Sequence, residues 1–252
     1  MSVNIDLTSR TALITGATQG IGKAIACQFE AAGASLILTG TNRKQIDELN
    51  ANLREQGKKN TIYLQLDLSS EQSVDRFLKD MDSLTPVDIC VNNAGVNRVS
   101  SFSETSEEDF DWMHRVNLRG PYRILKHLLP HMQSQQYGRV VNIASIWSIV
   151  TRKRRSLYTT TKNALVGMTE ALAVELASDN VLVNAVSPGF TLTELTRRTN
   201  TATELSSIEG TIPMGRLAQP EEIANTVAFL CSDLNSYITG QNIAIDGGYT
   251  NL

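Results

Sequence analysis

The chain has 252 residues, a hydrophobic content of 41% and a formal net charge of −3 at pH 7. A chain of this length fits one large domain that buries a full core without metals or disulfides. The charge balance gives no support for nucleic-acid or membrane binding, and with no bilayer-spanning apolar stretch or secretory signal segment we expect a cytoplasmic protein.

The first predicted strand leads into a glycine-rich turn. Residues 11–15 read as a short buried strand, and residues 23–29 read as a helix. The glycines between them have GxxxGxG spacing, which lets the backbone turn tightly and presents the helix N-terminus to a pyrophosphate. An ordinary βα turn is the alternative. The residues assigned to this phosphate site are Gly16, Thr18, Gln19, Gly20, Ile21 and Gly22.

Short apolar runs and longer helical stretches then alternate to the end of the chain. Repeated strand–helix units predict an α/β fold, in which a doubly wound sheet of seven parallel strands has helices on both faces. The later predicted strands are 34–39, 61–66, 87–91, 139–143, 181–186 and 242–245, and the helices are 43–56, 71–82, 106–133, 157–178 and 220–231. The irregular stretch 190–219 follows a strand and predicts a substrate lid within a single domain, 1–252.

The most informative spacing is that of Tyr158 and Lys162, which lie four residues apart with Ser145 thirteen residues upstream. On a helix this spacing stacks the phenol and the ammonium on one face. A nearby cation lowers a tyrosine pKa from its reference of roughly 10. Such a tyrosine exchanges a proton with a carbonyl oxygen more readily, so these residues predict an acid–base site, although YxxxK alone recurs by chance.

The cysteines and histidines predict neither disulfides nor a metal site. The cysteines are odd in number, far apart and set in apolar-rich elements, so we expect buried thiols in a reducing compartment. The histidines form no ligand pattern with them, and the i, i+4 pair lacks the glutamate of a HExxH motif, so we expect helix-surface side chains. These residues are Cys27, Cys90, Cys231, His114, His127 and His131.

Taken together, these motifs resemble the short-chain dehydrogenase/reductase family over essentially the full chain. The resemblance implies a Rossmann fold and a hydride transfer between a nicotinamide cofactor and a ketone or secondary alcohol. The matching motifs, in family order, are TGxxxGxG at 15–22, an aspartate after the third strand, NNAG at 92–95, the candidate catalytic residues, and PGxxxT at 188–193. Beyond the glycine turn, the implied cofactor contacts are Asp67, Leu68, Asn93, Ala94, Gly95, Tyr158, Lys162, Pro188, Gly189, Thr191 and Thr193.

The resemblance also implies a catalytic tetrad, Asn117, Ser145, Tyr158 and Lys162. Tyr158 would donate a proton to the carbonyl oxygen, where negative charge develops, and Ser145 would hydrogen-bond that oxygen. Lys162 would lower the Tyr158 pKa and bind the nicotinamide ribose, and Asn117 would hold a water relay to solvent. Taken alone, Ser145 also fits a helix cap, and Asn117 a buried polar residue that satisfies backbone groups.

The end of the second predicted strand favours NADP(H) over NAD(H). An NAD-preferring site usually carries an acid at the position of Gly40, and no acid occurs before Asp47. Arg43 would suit a 2′-phosphate, but it also fits the solvated start of a helix. Gln19 argues against the preference, because many NADP-binding members of the family carry a basic residue there. The residues assigned to this cofactor contact are Thr41, Asn42 and Arg43.

A run of cations at 152–155 lies between Ser145 and Tyr158. It predicts attraction of an anionic substrate, with Arg154 and Arg155 as candidate contacts, whereas a solvated loop or a subunit contact is the alternative. Trp147 follows the serine closely and fits either a pocket wall or the core.

Overall similarity is greatest to the branch of 3-oxoacyl-acyl-carrier-protein reductases and sugar or polyol dehydrogenases, so the sequence predicts the reaction better than the substrate. A 3-oxoacyl-acyl-carrier-protein reductase is the leading hypothesis, and a sugar-acid or polyol dehydrogenase is the alternative. Two other classes of function stay open: a non-catalytic cofactor-binding regulator and a structural interaction protein. Small residues on helix 157–178 suit close helix pairing, which predicts a homotetramer, with a dimer as the alternative.

Overall fold

All seven predicted strands form one parallel sheet, which confirms the predicted fold class. The computed structural model describes residues 4–252, without the side chain of Thr199. The strand order is β3-β2-β1-β4-β5-β6-β7, and every pairing is parallel. The strands are β1 (Thr11–Ile14), β2 (Ser35–Gly40), β3 (Thr61–Gln65), β4 (Ile89–Asn92), β5 (Gly138–Ile143), β6 (Val181–Pro188) and β7 (Asn242–Ile245).

Helices cover both faces of this sheet, which explains why its central strands are almost entirely buried. One core cluster includes buried residues of α1 (Gly20–Ala31) and α9 (Pro220–Cys231). The other includes residues of α3 (Glu71–Met81), α5 (Gly120–Ser134) and α6 (Ser156–Leu176). The remaining helices are α2 (Arg43–Glu55), α4 (Glu107–His114), α7 (Glu194–Thr199) and α8 (Ala202–Glu209).

The predicted helix over 106–133 is helical without a break over residues 107–134, but it is not a regular α-helix throughout. A π-helical turn, Arg115–Arg119, separates α4 from α5, and Pro121 stands in the first turn of α5. Proline lacks a backbone N–H and suits the start of a helix rather than its interior. Single π turns often occur at functional sites, and this one carries the buried Asn117.

The stretch 190–219 is also more ordered than predicted. Thr193 caps α7 by accepting from the Thr196 N–H, at 3.2 Å. Thr201 and Glu204 form a reciprocal capping box at the start of α8. The T-x-x-E spacing of this box is visible in the sequence. The chain then returns to the sheet edge through a parallel bridge between Thr191 and Ala218.

Cysteine burial agrees with the prediction at two positions only. Cys90 and Cys231 are buried, whereas Cys27 is exposed. The buried side of α1 carries Ile25 and Phe29, and Cys27 lies off that side. Across residues 4–252, no helix combines the length and apolar character that a bilayer-spanning segment requires.

Candidate active site

The glycine turn between β1 and α1 is shaped for close approach of a ligand. Gly16 and Gly20 have φ values of +65° and +56°, a region that favours glycine. A Cβ at Gly22 would overlap the Asn93 side chain and the Gly16 carbonyl. With glycine there, the Asn93 Nδ2 donates to the carbonyls of Thr15, at 2.8 Å, and Gly16, at 3.1 Å. The turn is therefore fixed to β4 and leads into the N-terminus of α1, a position that favours an anion.

Two threonine hydroxyls support this turn, Thr15 of the predicted TGxxxGxG motif and Thr39, which the sequence analysis did not assign to it. The Thr15 Oγ1 accepts from the backbone N–H groups of Asn93 and Ala94, each at 3.0 Å. The Thr39 Oγ1 accepts from the Gly16 N–H at 3.2 Å. Thr15 directly follows β1, and Thr39 is the next-to-last residue of β2. A threonine at the end of a buried strand is therefore the feature of the sequence that indicates these contacts.

The other turn residues have distinct neighbours. Gln19 precedes α1 without a side-chain capping hydrogen bond, and Ile21 packs against the first core cluster. A Cβ at Gly40 would lie 2.5 Å from the Thr18 Cγ2, so any side chain at position 40 requires Thr18 to move.

The predicted 2′-phosphate residues lie after β2, at the start of α2. Asn42 caps α2 by accepting from the Gln45 N–H, and the Arg43 Nε lies 3.1 Å from an Asp47 carboxylate oxygen. Arg43 and Asp67 line a polar cavity of about 410 Å³ that contains none of the predicted tetrad. The Asp67 Oδ1 accepts from the N–H and hydroxyl of Ser69. The remaining residues of this group are Thr41, whose carbonyl accepts from the Gln65 side chain, and Leu68, which is buried against Gly120.

Gly95 connects the cofactor motif to the predicted tetrad. A Cβ there would lie 3.4 Å from both the Lys162 Nζ and the Asn117 Oδ1. The Asn117 Nδ2 donates to the Val96 carbonyl, at 2.9 Å, and to the Thr161 Oγ1, at 3.1 Å, while its Oδ1 accepts from the Val96 N–H, at 2.8 Å. Both amide hydrogens are therefore used by protein groups, and only the second lone pair of Oδ1 remains for water.

Ser145 follows β5 and begins a 3₁₀ turn, Ile146–Ser148. Its Oγ accepts from the Trp147 N–H at 3.2 Å, which is the capping role considered for this residue. Ser145 also lies close enough to Tyr158 for its hydroxyl to favour the ionised phenol. A serine hydroxyl has one donor and two acceptors, so the cap leaves its hydrogen available to a second group.

Tyr158 and Lys162 lie on the same side of α6, as their spacing predicts. The Lys162 Nζ is 5.6 Å from the centroid of the Tyr158 ring and donates to the Ile143 carbonyl at 2.7 Å. The lysine is only 3% exposed. Burial penalises the ammonium form and lowers the pKa of Lys162 to about 8.

The predicted lowering of the Tyr158 pKa is wrong in direction. Burial raises the pKa of Tyr158 above its ordinary value, because an ionised phenol is poorly solvated there. The hydrogen bond from Ser145 and the charge of Arg155 both act in the opposite sense, without overcoming burial. Arg155, from the basic run, is thus a second cation near the phenol, beside Lys162.

The PGxxxT segment closes the other side of the cleft. Pro188 ends β6, and the Gly189 N–H donates to the Ile245 carbonyl at 2.9 Å. A Cβ at Gly189 would lie 2.7 Å from the Asp246 Cα, so a glycine suits this close approach. The Thr191 hydroxyl donates to the Gly189 carbonyl, and Thr193 caps α7.

Glu194 contacts the glycine turn and was also missed by sequence reasoning. Its Oε2 accepts from the Gly20 N–H at 3.1 Å, at the start of α1. The contact joins α7 to the turn across 174 residues of sequence, a separation that local patterns do not reveal.

The basic run divides into two parts. Arg152 and Arg155 lie over the buried indole of Trp147, with guanidinium carbons 5.1 Å and 5.7 Å from a ring centroid. Arg154 has a φ of +67° and lies near Glu104 instead. Trp147 also contacts Phe190 and Tyr249 edge to face, so it belongs to an aromatic cluster.

Comparisons with known proteins extend over nearly the whole chain. A family model described as Enoyl-(Acyl carrier protein) reductase matches residues 16–250. The 3-oxoacyl-[acyl-carrier-protein] reductase FabG of Aquifex aeolicus is 38% identical over 247 residues, covering 98% of this chain and 99% of that protein. The oxidoreductase UcpA of Escherichia coli is 39% identical over 253 residues, covering 97% of this chain and 95% of its own.

Solved structures also match this chain over nearly its whole length. A gluconate 5-dehydrogenase from Burkholderia cenocepacia, in complex with NADP and tartrate, has a TM-score of 0.90 at 28% identity and covers 98% of each chain. ElxO with NADP bound has a TM-score of 0.89 at 32% identity and covers 96% of this chain and 99% of its own.

Proposed function

Because the chain belongs to the short-chain dehydrogenase/reductase family, we propose that it is an NADP(H)-dependent reductase of 3-oxoacyl groups with Tyr158 as its acid–base residue. It is an oxidoreductase that transfers a hydride between a nicotinamide cofactor and a ketone or secondary alcohol. The observation that carries the proposal is the convergence of Ser145, Tyr158 and the Lys162 ammonium at the carboxyl end of the sheet, with the Lys162 Nζ 5.6 Å from the centroid of the Tyr158 ring.

The residues around the cleft fit a dinucleotide. The glycine turn would hold the pyrophosphate, Asp67 and the NNAG segment would line the adenosine side, and Lys162 would bind the ribose. The turn has room because Gly16, Gly20 and Gly22 carry no side chain. When bound, the nicotinamide supplies or accepts the hydride.

NADP(H) is the proposed cofactor form. No acid stands at position 40 to hold a 2′-hydroxyl, and Thr18 packs where a side chain at that position would begin. Arg43 can exchange its Asp47 partner for a 2′-phosphate. Two solved relatives contain NADP. Titration of the protein with NADPH and with NADH tests this choice, and tighter NADH binding would contradict it.

In the proposed reduction, residues of this chain neutralise and stabilise the negative charge that develops on the carbonyl oxygen. Tyr158 donates its hydroxyl proton to that oxygen, and Ser145 donates a hydrogen bond that fixes the oxygen's position. The raised pKa of Tyr158 keeps the phenol protonated at neutral pH, which suits an acid. Lys162 remains largely cationic below its pKa of about 8 and stabilises the negative charge that Tyr158 acquires.

Oxidation of a sugar acid or polyol is the second candidate function. The solved gluconate 5-dehydrogenase with bound tartrate and the cations beside Trp147 favour it. Two assays distinguish the candidates: reduction of a 3-oxobutanoyl thioester by NADPH, and oxidation of gluconate by NADP⁺. Thioester reduction alone supports the first candidate, gluconate oxidation alone supports the second, and absence of both activities contradicts both.

We further propose a homotetramer, with a dimer as the alternative, in the reducing cytoplasm. Apolar side chains are exposed on three helices that cover the same face of the sheet, namely Phe110 on α4, Tyr122 on α5 and Val174 on α6. The cysteines are free thiols, which suits a reducing compartment. The stretch 190–219, which contains α7 and α8, is the proposed substrate lid of the single domain.

A further inference from the structure

Arg155 lies at the entrance to the tetrad, immediately before α6. Its guanidinium is close enough to the Tyr158 phenol for their charges to interact. It also lies over the indole of Trp147, which directly follows the Ser145 turn. Arg155 therefore lies near both the phenol and the indole that follows Ser145.

The Arg155 charge has no partner in the described part of the chain. Its Nε is buried without a hydrogen bond, and neither Arg155 nor Arg152 forms an ion pair with any residue of 4–252. An unsatisfied buried donor typically costs about 1–3 kcal/mol. Burial lowers the pKa of Arg155, and repulsion from Arg152 acts in the same direction.

Helix electrostatics do not explain the arrangement either. Cations are unfavourable at a helix N-terminus, where the macrodipole is positive. Helix α6 nevertheless begins directly after Arg155 and has no acidic residue in its first turn. The contact with Trp147 supplies a cation–π attraction but satisfies no N–H donor.

We propose that Arg155, assisted by Arg152, binds a carboxylate of the substrate and holds the neighbouring ketone against Ser145 and Tyr158. A guanidinium presents paired N–H donors that match a carboxylate, and Arg155 forms no ion pair within residues 4–252 that would compete for them. The inference rests on the proposed hydride transfer at Tyr158 and not on a thioester, which has no carboxylate; it makes the preferred substrate a small oxo acid or its hydroxy-acid product. Arg154 is not part of this site, because it lies near Glu104.

The test compares 3-oxobutanoate with its neutral ethyl ester as substrates for NADPH-dependent reduction. Arg155→Gln should lower kcat/KM for the acid relative to the ester by about 10- to 100-fold, the size expected for a lost charge-assisted hydrogen bond. Arg155→Lys, which keeps the charge but not the planar fork, should recover part of that ratio. Lys153→Gln is the matched control, because it removes one charge from the same exposed loop and should leave the ratio unchanged.

An acid-to-ester ratio that does not change in Arg155→Gln would overturn the inference while leaving the proposed reduction intact. If the unaltered protein reduces neither compound, the proposed reduction fails for these substrates, and binding decides the inference separately. Malonate and malonamide are then titrated calorimetrically into protein saturated with NADP⁺. Malonate binding that is lost in Arg155→Gln but kept in Lys153→Gln supports the site, and equal binding in the unaltered protein and both variants overturns it.

Discussion

Tyr158 lies between the Ser145 hydroxyl and the Arg155 guanidinium, and burial of its phenol decides its pKa. The spacing of Tyr158 and Lys162 predicts their shared helix face because helix periodicity is a local property. The direction of the pKa shift depends on how tightly distant elements enclose the phenol, and no local pattern contains that information. The sequence therefore predicts the residues of the site but not the dominance of burial, nor the additional charge of Arg155 near the phenol.

The pH dependence of reduction should follow Lys162 rather than Tyr158. Tyr158 must be protonated to donate, and its raised pKa keeps it protonated through neutral and mildly alkaline pH. Lys162 loses its proton as pH rises through about 8, which removes the cation that stabilises the developing phenolate. We expect kcat for ketone reduction to fall above about pH 8 and this fall to be absent in Lys162→Met, whose rate is low throughout. A profile that falls identically in both proteins would show that another group is responsible.

Asn117 should be needed for folding stability as well as activity. Its amide satisfies the N–H and carbonyl of Val96 and contacts Thr161, all near the π turn. Asn117→Ala leaves these groups without partners, so we expect the free energy of unfolding in urea to fall by about 2–4 kcal/mol. Asn163→Ala is the control, because this exposed amide bonds only within α6 and its loss should cost less than about 0.5 kcal/mol. Equal effects of the two substitutions would contradict the role assigned to Asn117.

At the scale of elements, strands were easier to predict than interruptions of helices. The buried strands appear as apolar runs, and the T-x-x-E spacing of Thr201 and Glu204 indicates the start of α8. The π turn at Arg115–Arg119 has no comparable local signal, because its placement of Asn117 depends on contacts with Val96 and Thr161. The contact between α7 and the glycine turn likewise cannot be predicted from a local sequence pattern, because its two residues lie 174 positions apart.

Glu194 should weaken cofactor binding. Its carboxylate accepts from the Gly20 N–H in the turn that we assign to the pyrophosphate, so the two negative groups would repel each other. We expect Glu194→Gln to lower the Kd for NADPH several-fold, most clearly at low salt, where screening is weakest. Glu175→Gln removes the same charge from an exposed position on α6 and should leave the Kd unchanged. Weaker NADPH binding by Glu194→Gln would instead assign this carboxylate a supporting role.

At the scale of the whole molecule, the segments that form the site all lie at one edge of the sheet. The glycine turn, the NNAG segment, Ser145 and the PGxxxT segment all follow the carboxyl ends of parallel strands. This convergence is a property of the doubly wound topology, which is why the alternation of strands and helices predicted where the site residues meet. Subunit contacts do not follow from the topology, because they depend on side chains exposed on the outer helices.

The exposed face of α6 provides a test of the proposed assembly. Val174 is 83% exposed there, which is unusual for a large apolar side chain unless a partner covers it. Light scattering should give the mass of a tetramer, and Val174→Glu should reduce that mass by disrupting helix pairing. Ile62→Glu, on the edge strand β3, is the control and should leave the mass unchanged. A monomeric mass for the unaltered protein would contradict both the tetramer and the dimer.

The proton-donating role of Tyr158 is tested most directly by Tyr158→Phe, which removes the hydroxyl and keeps the ring. The measurement is the rate of NADPH consumption with a reducible ketone in a single turnover, together with the Kd for NADPH of the same preparation. We expect the rate to fall at least about 100-fold, the scale of general acid catalysis, while the Kd changes little. A variant that binds NADPH and reduces the ketone at the original rate would show that this phenol is not the proton donor.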